Sequence, residues 1–155
     1  KKGKSAKKLF EHFMVNLPDP KSRSFAKNAS FYSAKDSTVL FVISDGLEEL
    51  EEWQLFFKQV PKYSHDVRFL HLSTAEERFP NFEGDIRLID EETGTDLNVT
   101  MTRQAIEAYL KQREQHNKAL EALCAKHGVH YMPIHIEDGI QQVMIHQLAR
   151  KKWIE

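Results

Sequence analysis

At 155 residues, with 29% charged side chains and a formal net charge of -1, the chain has one domain's length and no global field that would draw it to nucleic acid or anionic lipid. A lone cysteine, Cys124, excludes an internal disulfide framework and fits a reducing compartment. No apolar stretch approaches the roughly 20 residues that a membrane-spanning helix needs, so the expectation is a soluble, cytoplasmic chain without a signal peptide.

In chain order, Lys1, Lys2, Lys4, Lys7 and Lys8 crowd the N-terminus. No aromatics interleave with them, so they read as a solvated helix start rather than a phosphate-binding arm. Leu9, Phe10, Phe13, Met14 and Leu17 recur at helical spacing, and Pro18-Asp19-Pro20 ends that predicted helix. Phe25, Ala26, Ala29, Phe31 and Tyr32 are compatible with a second, shorter one. Residues 38–44 form the first clear strand, apolar without alternation, as expected of a parallel strand covered on both faces. After Gly46 the period becomes 3.6. Leu47, Leu50, Trp53, Phe56, Phe57 and Val60 share a face, Glu48, Glu49, Glu51 and Glu52 load the positive dipole end, and Pro61 stops the helix. Residues 66–73 read as a second strand, and strand–helix–strand with short joints is a parallel βαβ unit.

Residues 84–100 behave differently. Ile86, Leu88 and Asp90 alternate with Arg87 and Ile89, and Leu97 and Val99 resume the pattern after Thr93-Gly94. An antiparallel hairpin is predicted there, at an edge or projecting from the sheet. Thr102 is placed to cap a long helix that turns Ile106, Tyr109, Leu110, Leu120, Leu123 and Cys124 inward and closes at Gly128. Residues 129–136 predict a third core strand, and Ile140, Val143, Met144, Leu148 and Trp153 a closing amphipathic helix. The expected architecture is a single α/β three-layer sandwich over residues 1–155, with three parallel strands and a hairpin insertion at 84–100.

In open α/β sheets the ligand crevice lies beyond the carboxyl ends of the strands. Ser44-Asp45-Gly46, Ser73-Thr74 and Glu137-Asp138-Gly139 fall there. Asp45 reads in two ways: with Ser44 as an oxygen donor to Mg²⁺ or another hard cation, or as the cap of the following helix with Gly46 relaxing the turn. Asp138-Gly139 reads as an acidic turn with a capping role. Eight histidines raise a metal question that their spacing resists, since His130 and His135 differ by an odd number and face opposite sides of one strand. No His-Glu-x-x-His or paired-cysteine pattern occurs, nor a Gly-rich phosphate loop or Gly-x-Ser-x-Gly elbow. His71 reads as a hydrogen-bonded core histidine, and Cys124 as buried and inert.

Four stretches carry a resemblance: TVLFVISDG, FEGDIRLIDEETGTDLNVT, AYLKQREQHNKALEALCAKHGVHYMPIHIEDGI and QVMIHQLARKK. Together they are similar to the C-terminal part of the domain of unknown function 58 family, bacterial and archaeal proteins with a von Willebrand factor A-like (Rossmann-like) fold. Residues 38–152 carry the match and residues 1–37 correspond loosely. The resemblance, and an opening Lys1-Lys2-Gly3 without methionine, imply a piece of a longer chain, and leave room for membrane-anchored full-length relatives. It further implies a divalent cation at a metal-dependent adhesion site, with Asp45 in its third loop beside Ser44, and Ser22 or Ser24 where the family's second loop has threonine. The family's Asp-x-Ser-x-Ser occurs nowhere in the sequence.

The function implied is a non-enzymatic protein-interaction module acting with a MoxR-type AAA+ ATPase in assembly or maturation of other proteins. The competing expectation is an enzyme, a metal-dependent phosphohydrolase or nucleotide-binding α/β domain that uses Asp45 and Asp138. A third, RNA binding through the N-terminal lysines, predicts a steep loss of affinity with salt.

Overall fold

The computed structural model describes residues 39–60, 66–81, 84–89 and 96–154, with residues 85–89, 96–99 and 101 described by their backbone alone. The helices expected near residues 9–17 and 25–32, Pro61, the Thr93-Gly94 turn, and Ser22 and Ser24 lie outside the described residues.

Three strands, β1 (Val39–Ser44), β2 (Asp66–Ser73) and β5 (Val129–His135), form an open, all-parallel sheet in the order β1-β2-β5. The register is continuous, from Val39 opposite Asp66 to Ser44 opposite His71, and from Val67 opposite Val129 to Ser73 opposite His135. All three carboxyl ends therefore finish at one rim. Strands β3 (Gly84–Ile89) and β4 (Asp96–Met101) pair antiparallel as a separate two-stranded sheet, with Gly84 opposite Met101.

Helical segments lie on both faces of the parallel sheet, as an α/β fold requires, although one face of β1 stays partly open. On one face lie α1 (Leu50–Gln59) and the long α3 (Arg103–Lys126). Their side chains meet Val42, Val67, Phe69 and Val129 around a core of Trp53, Phe56, Phe57, Val60, Leu120 and Cys124. The aromatic centre packs edge-to-face: Trp53 meets Phe69 at 5.0 Å between ring centroids and Phe56 at 5.6 Å. Such pairs add about 0.5–1.5 kcal/mol each beyond the area they bury. Helix α3 begins where Thr102 accepts a hydrogen bond from the Ala105 N–H at 3.2 Å, and it closes before Gly128 at φ +69°. A short α2 (Ala75–Arg78) follows β2 through a capping box, in which Thr74 and Glu77 satisfy each other's backbone N–H groups.

On the opposite face the C-terminal segment buries Leu148 against Leu70, Met132 and Ile134, with Trp153 and Ile154 beside them. The continuous amphipathic helix expected there is replaced by a 3₁₀ turn (Ile136–Asp138), a short α4 (Gly139–Gln142) and a π-helical turn (Val143–Leu148). Ile140 and Met144 are exposed, contrary to the expected apolar stripe. The wider turn re-aims the chain so that Leu148, rather than those two, meets the sheet.

Three further expectations are corrected. Among the described residues β1 is an edge strand, and alternate residues on one of its faces are open: Val39 and Phe41 are 36% exposed and Ile43 56%. Its apolar run thus does not mean cover on both sides. Leu47 is 67% exposed and lies outside α1, and Tyr109 is also exposed. The first turn of the helix was predicted one residue group too early, because hydrogen bonds in the preceding loop delay it.

Candidate functional site at the carboxyl rim

The loop after β1 is built from short local bonds. Ser44 Oγ accepts from the Gly46 N–H at 3.1 Å, and Asp45 Oδ1 accepts from the Leu47 N–H at 3.3 Å. Both are the side-chain turns that Ser and Asp favour after a strand. Asp45 is therefore not the helix cap: that position belongs to Glu49, which makes no side-chain capping bond. The Asp45 carboxylate stands exposed at the rim, while its own carbonyl is gripped from below.

Two histidines hold the carbonyls of this loop, one each. His71, on the central strand and 4% exposed, has Nε2 at 2.7 Å from the Asp45 carbonyl and Nδ1 at 2.5 Å from the Tyr131 hydroxyl. A carbonyl only accepts, so Nε2 carries the proton and Nδ1 accepts from the phenol. Burial holds the His71 imidazolium down, keeping the ring neutral, although the Asp45 carbonyl pulls the other way; the nearby Arg113 and His116 charges add to the depression. Burial also pushes the Tyr131 phenol up to about 12, so it stays a donor. His116, on α3, donates from Nε2 to the Gly46 carbonyl at 2.8 Å. Consecutive carbonyls of the rim loop are thus each held by an imidazole. The reading of His71 as a hydrogen-bonded core residue holds. His116 was missed; its signal was the Arg113–His116–Leu120 spacing, which shares one face of α3 with a residue of the core.

Gly46 makes this fit possible. Its φ is +70°, and a Cβ there would lie 2.7 Å from Leu120 Cδ2 and 3.1 Å from His71 Nε2. The loop can approach the core only without a side chain at that position. Beside it, Leu47, Glu48, Glu49, Tyr109, Gln112, Arg113, His116 and Asn117 line an open crevice of about 340 Å³.

The other two strand-end loops are tied to each other rather than to Asp45. Glu137 accepts from the Ala75 N–H at 2.5 Å and pairs with Arg78 at 2.9 Å, which joins the β5 end to α2. Those bonds hold the Glu137 carboxyl below its usual range, the Ala75 N–H contributing most. Asp138 precedes α4 but makes no capping bond; its Oδ2 accepts from Gln147 Nε2 at 3.0 Å. Since β2 separates β1 from β5, the backbones carrying Asp45 and Asp138 leave the sheet about 10 Å apart, two strand spacings. The structure does not bring those carboxylates together. His130 and His135 face opposite sides as expected: His130 lies against Trp153, and His135 Nδ1 sits 3.1 Å from Ser73 Oγ. Cys124 is buried, and desolvation pushes its thiol up to about 12.

The fit to a divalent cation follows from the donor count. Asp45 and Ser44 offer three side-chain oxygens, of which Ser44 Oγ and Asp45 Oδ1 already accept hydrogen bonds, whereas Mg²⁺ is held by about six oxygens in octahedral array. Among the described residues no group of three or more His, Cys, Asp or Glu is arranged to hold a metal. These two residues do not by themselves make a cation site. Among the same residues no helix is long and apolar enough to cross a membrane. Comparison with protein-family models, with curated proteins and with solved structures finds no match to this chain.

Proposed function

We propose that this chain is a non-enzymatic protein-interaction module of the von Willebrand factor A-like kind, acting with a MoxR-type AAA+ ATPase in the assembly or maturation of other proteins. Docking takes place on the carboxyl rim of the parallel sheet, with Asp45 as its recognition carboxylate. One observation supports this reading above the rest: the Asp45 backbone is fixed from beneath by His71 while its carboxylate faces solvent. A rigid, outward acidic group costs little to order when a partner arrives. Where a divalent cation bridges the contact, Asp45 and Ser44 supply the first two oxygens, and the partner or residues beyond the described ones supply the rest.

The test is capture of a purified MoxR-type ATPase by the wild-type chain and by Asp45→Ala, with Mg²⁺ and with chelator, followed by calorimetry. The variant keeps the wild-type unfolding free energy within about 0.5 kcal/mol, as surface changes do, and loses capture. Equal capture by both proteins sinks the rim reading, and capture indifferent to chelator sinks the cation bridge alone.

A further inference from the structure

Arg113 has few partners for a side chain so far from water. It is 16% exposed, yet among the described residues its one hydrogen bond runs from Nη2 to Glu77 Oε2 at 3.4 Å. That oxygen already accepts from the Thr74 N–H at 2.7 Å. A guanidinium carries five N–H donors, and polar groups at this depth are normally satisfied. The Nε and Nη1 donors of Arg113 are left over. Arg78, 23% exposed, is in a similar position: Nε donates to the Thr74 carbonyl at 3.2 Å and Nη2 to Glu137 at 2.9 Å, which leaves Nη1.

Both guanidinium groups line one crevice of about 360 Å³ between α3 and β5, walled by Leu110, Tyr131 and Pro133. Arg113 also lines the crevice beside Asp45, but there it is the one arginine and faces Glu48 and Glu49. Charge therefore selects the α3–β5 crevice for an anion. Of the two carboxylates in it, Glu114 is met by Lys118 at 2.6 Å. Glu121 lies two helical turns from Arg113, about 12 Å along α3. Asn117, between them on the same helix face, adds an amide donor.

We propose that this crevice binds a small molecule with an oxyanion head, a carboxylate or a phosphate. Arg78 and Arg113 hold the head, and the body of the molecule lies on Leu110, Tyr131 and Pro133. An arginine fork meets such a group with paired charged hydrogen bonds, and forks from two elements, α2 and α3, fix its orientation. The volume is at the small end of those that enclose ligands. This inference does not depend on Asp45, a cation or docking at the rim.

NMR titration of the ¹⁵N-labelled chain with inorganic phosphate, and separately with acetate, at constant ionic strength tests it. Saturable shifts are expected at the Nε–H resonances of Arg78 and Arg113 with at least one anion. A response to phosphate alone assigns a phosphate head, to acetate alone a carboxylate, and to both an oxyanion of either kind. Arg113→Gln removes the fork and weakens binding at least about tenfold, the size of a lost charged hydrogen bond. Asn117→Asp keeps the shape of the side chain, adds a negative charge to the crevice and has the same effect. Lys111→Gln, exposed on α3 and outside the crevice, changes binding by less than about twofold, as a screened surface charge does. No saturable shift with either anion overturns the proposal. So does binding that survives both crevice variants, or that Lys111→Gln weakens as much as they do.

Discussion

Replacing Gly46 with alanine puts the packing beneath the rim to a quantitative trial. The backbone there has φ +70°, and a Cβ would meet Leu120 Cδ2 at 2.7 Å and His71 Nε2 at 3.1 Å. Neither neighbour is free to retreat, since Leu120 is fully buried and His71 is held at both nitrogens. The left-handed conformation costs a residue with a Cβ roughly 1–2 kcal/mol, and forcing a methyl into a filled site costs roughly 1–3 kcal/mol more. Gly46→Ala is thus expected to lose about 2–5 kcal/mol, a large share of the roughly 5–15 kcal/mol that holds a domain of this kind. Gly128→Ala supplies the control. Its φ is +69°, but nothing lies within 4 Å of the added Cβ, so it bears the backbone cost alone. Urea unfolding followed by Trp53 and Trp153 fluorescence gives both values, and their difference, about 1–3 kcal/mol, isolates the contact. Equal losses in the two variants would refute the claim that the loop rests on Leu120 and His71.

Acid should weaken the fold through the same histidine. The His71 imidazolium is disfavoured in the native state but forms freely in the unfolded chain near the ordinary value of 6.5. The unfolded state therefore binds more protons, and stability falls as pH drops below 6.5. His127, depressed mainly by burial, acts in the same direction. Urea midpoints should decline between pH 7.5 and pH 5, above the range in which carboxylates titrate; a midpoint that is flat across that window contradicts the buried, neutral assignment. Cys124 should resist a thiol reagent at pH 8 until the protein unfolds, because with a value of about 12 its thiolate amounts to about one part in ten thousand. Prompt stoichiometric labelling of the native chain would show that the site opens.

The strands, α1, the Thr102 start of α3 and its Gly128 stop were legible because each rests on a local rule: an apolar run, a 3.6 period, a cap, a glycine after the last turn. Cys124 and His71 were legible for a similar reason, lying among apolar neighbours in sequence. What failed depended on things far away in the chain. Whether the run at 39–44 is covered on both faces is decided by which distant segments pack over the sheet, which its own residues do not encode. Asp45 looked like a helix cap because it precedes a helical period. Its side chain instead closes a turn onto Leu47, and the helix waits until Leu50. The grip of His116 on the Gly46 carbonyl joins positions 70 residues apart: spacing along α3 sets His116 on the face of Leu120 but does not name the carbonyl it meets. Ile140 and Met144 missed the sheet because periodicity assumes a uniform helix, and this segment is not uniform.

That departure changes how the segment tolerates deletion. Across Val143–Leu148 the bonds reach back five residues, as from the Ala149 N–H to the Met144 carbonyl. The turn holds about one residue more than an α-helical turn would. Losing one solvent-facing residue there, such as Ile145, would let the turn tighten to α-helical geometry and leave Leu148 and Trp153 directed at the sheet, whereas the same deletion inside the regular α3 would rotate everything beyond it by about 100°.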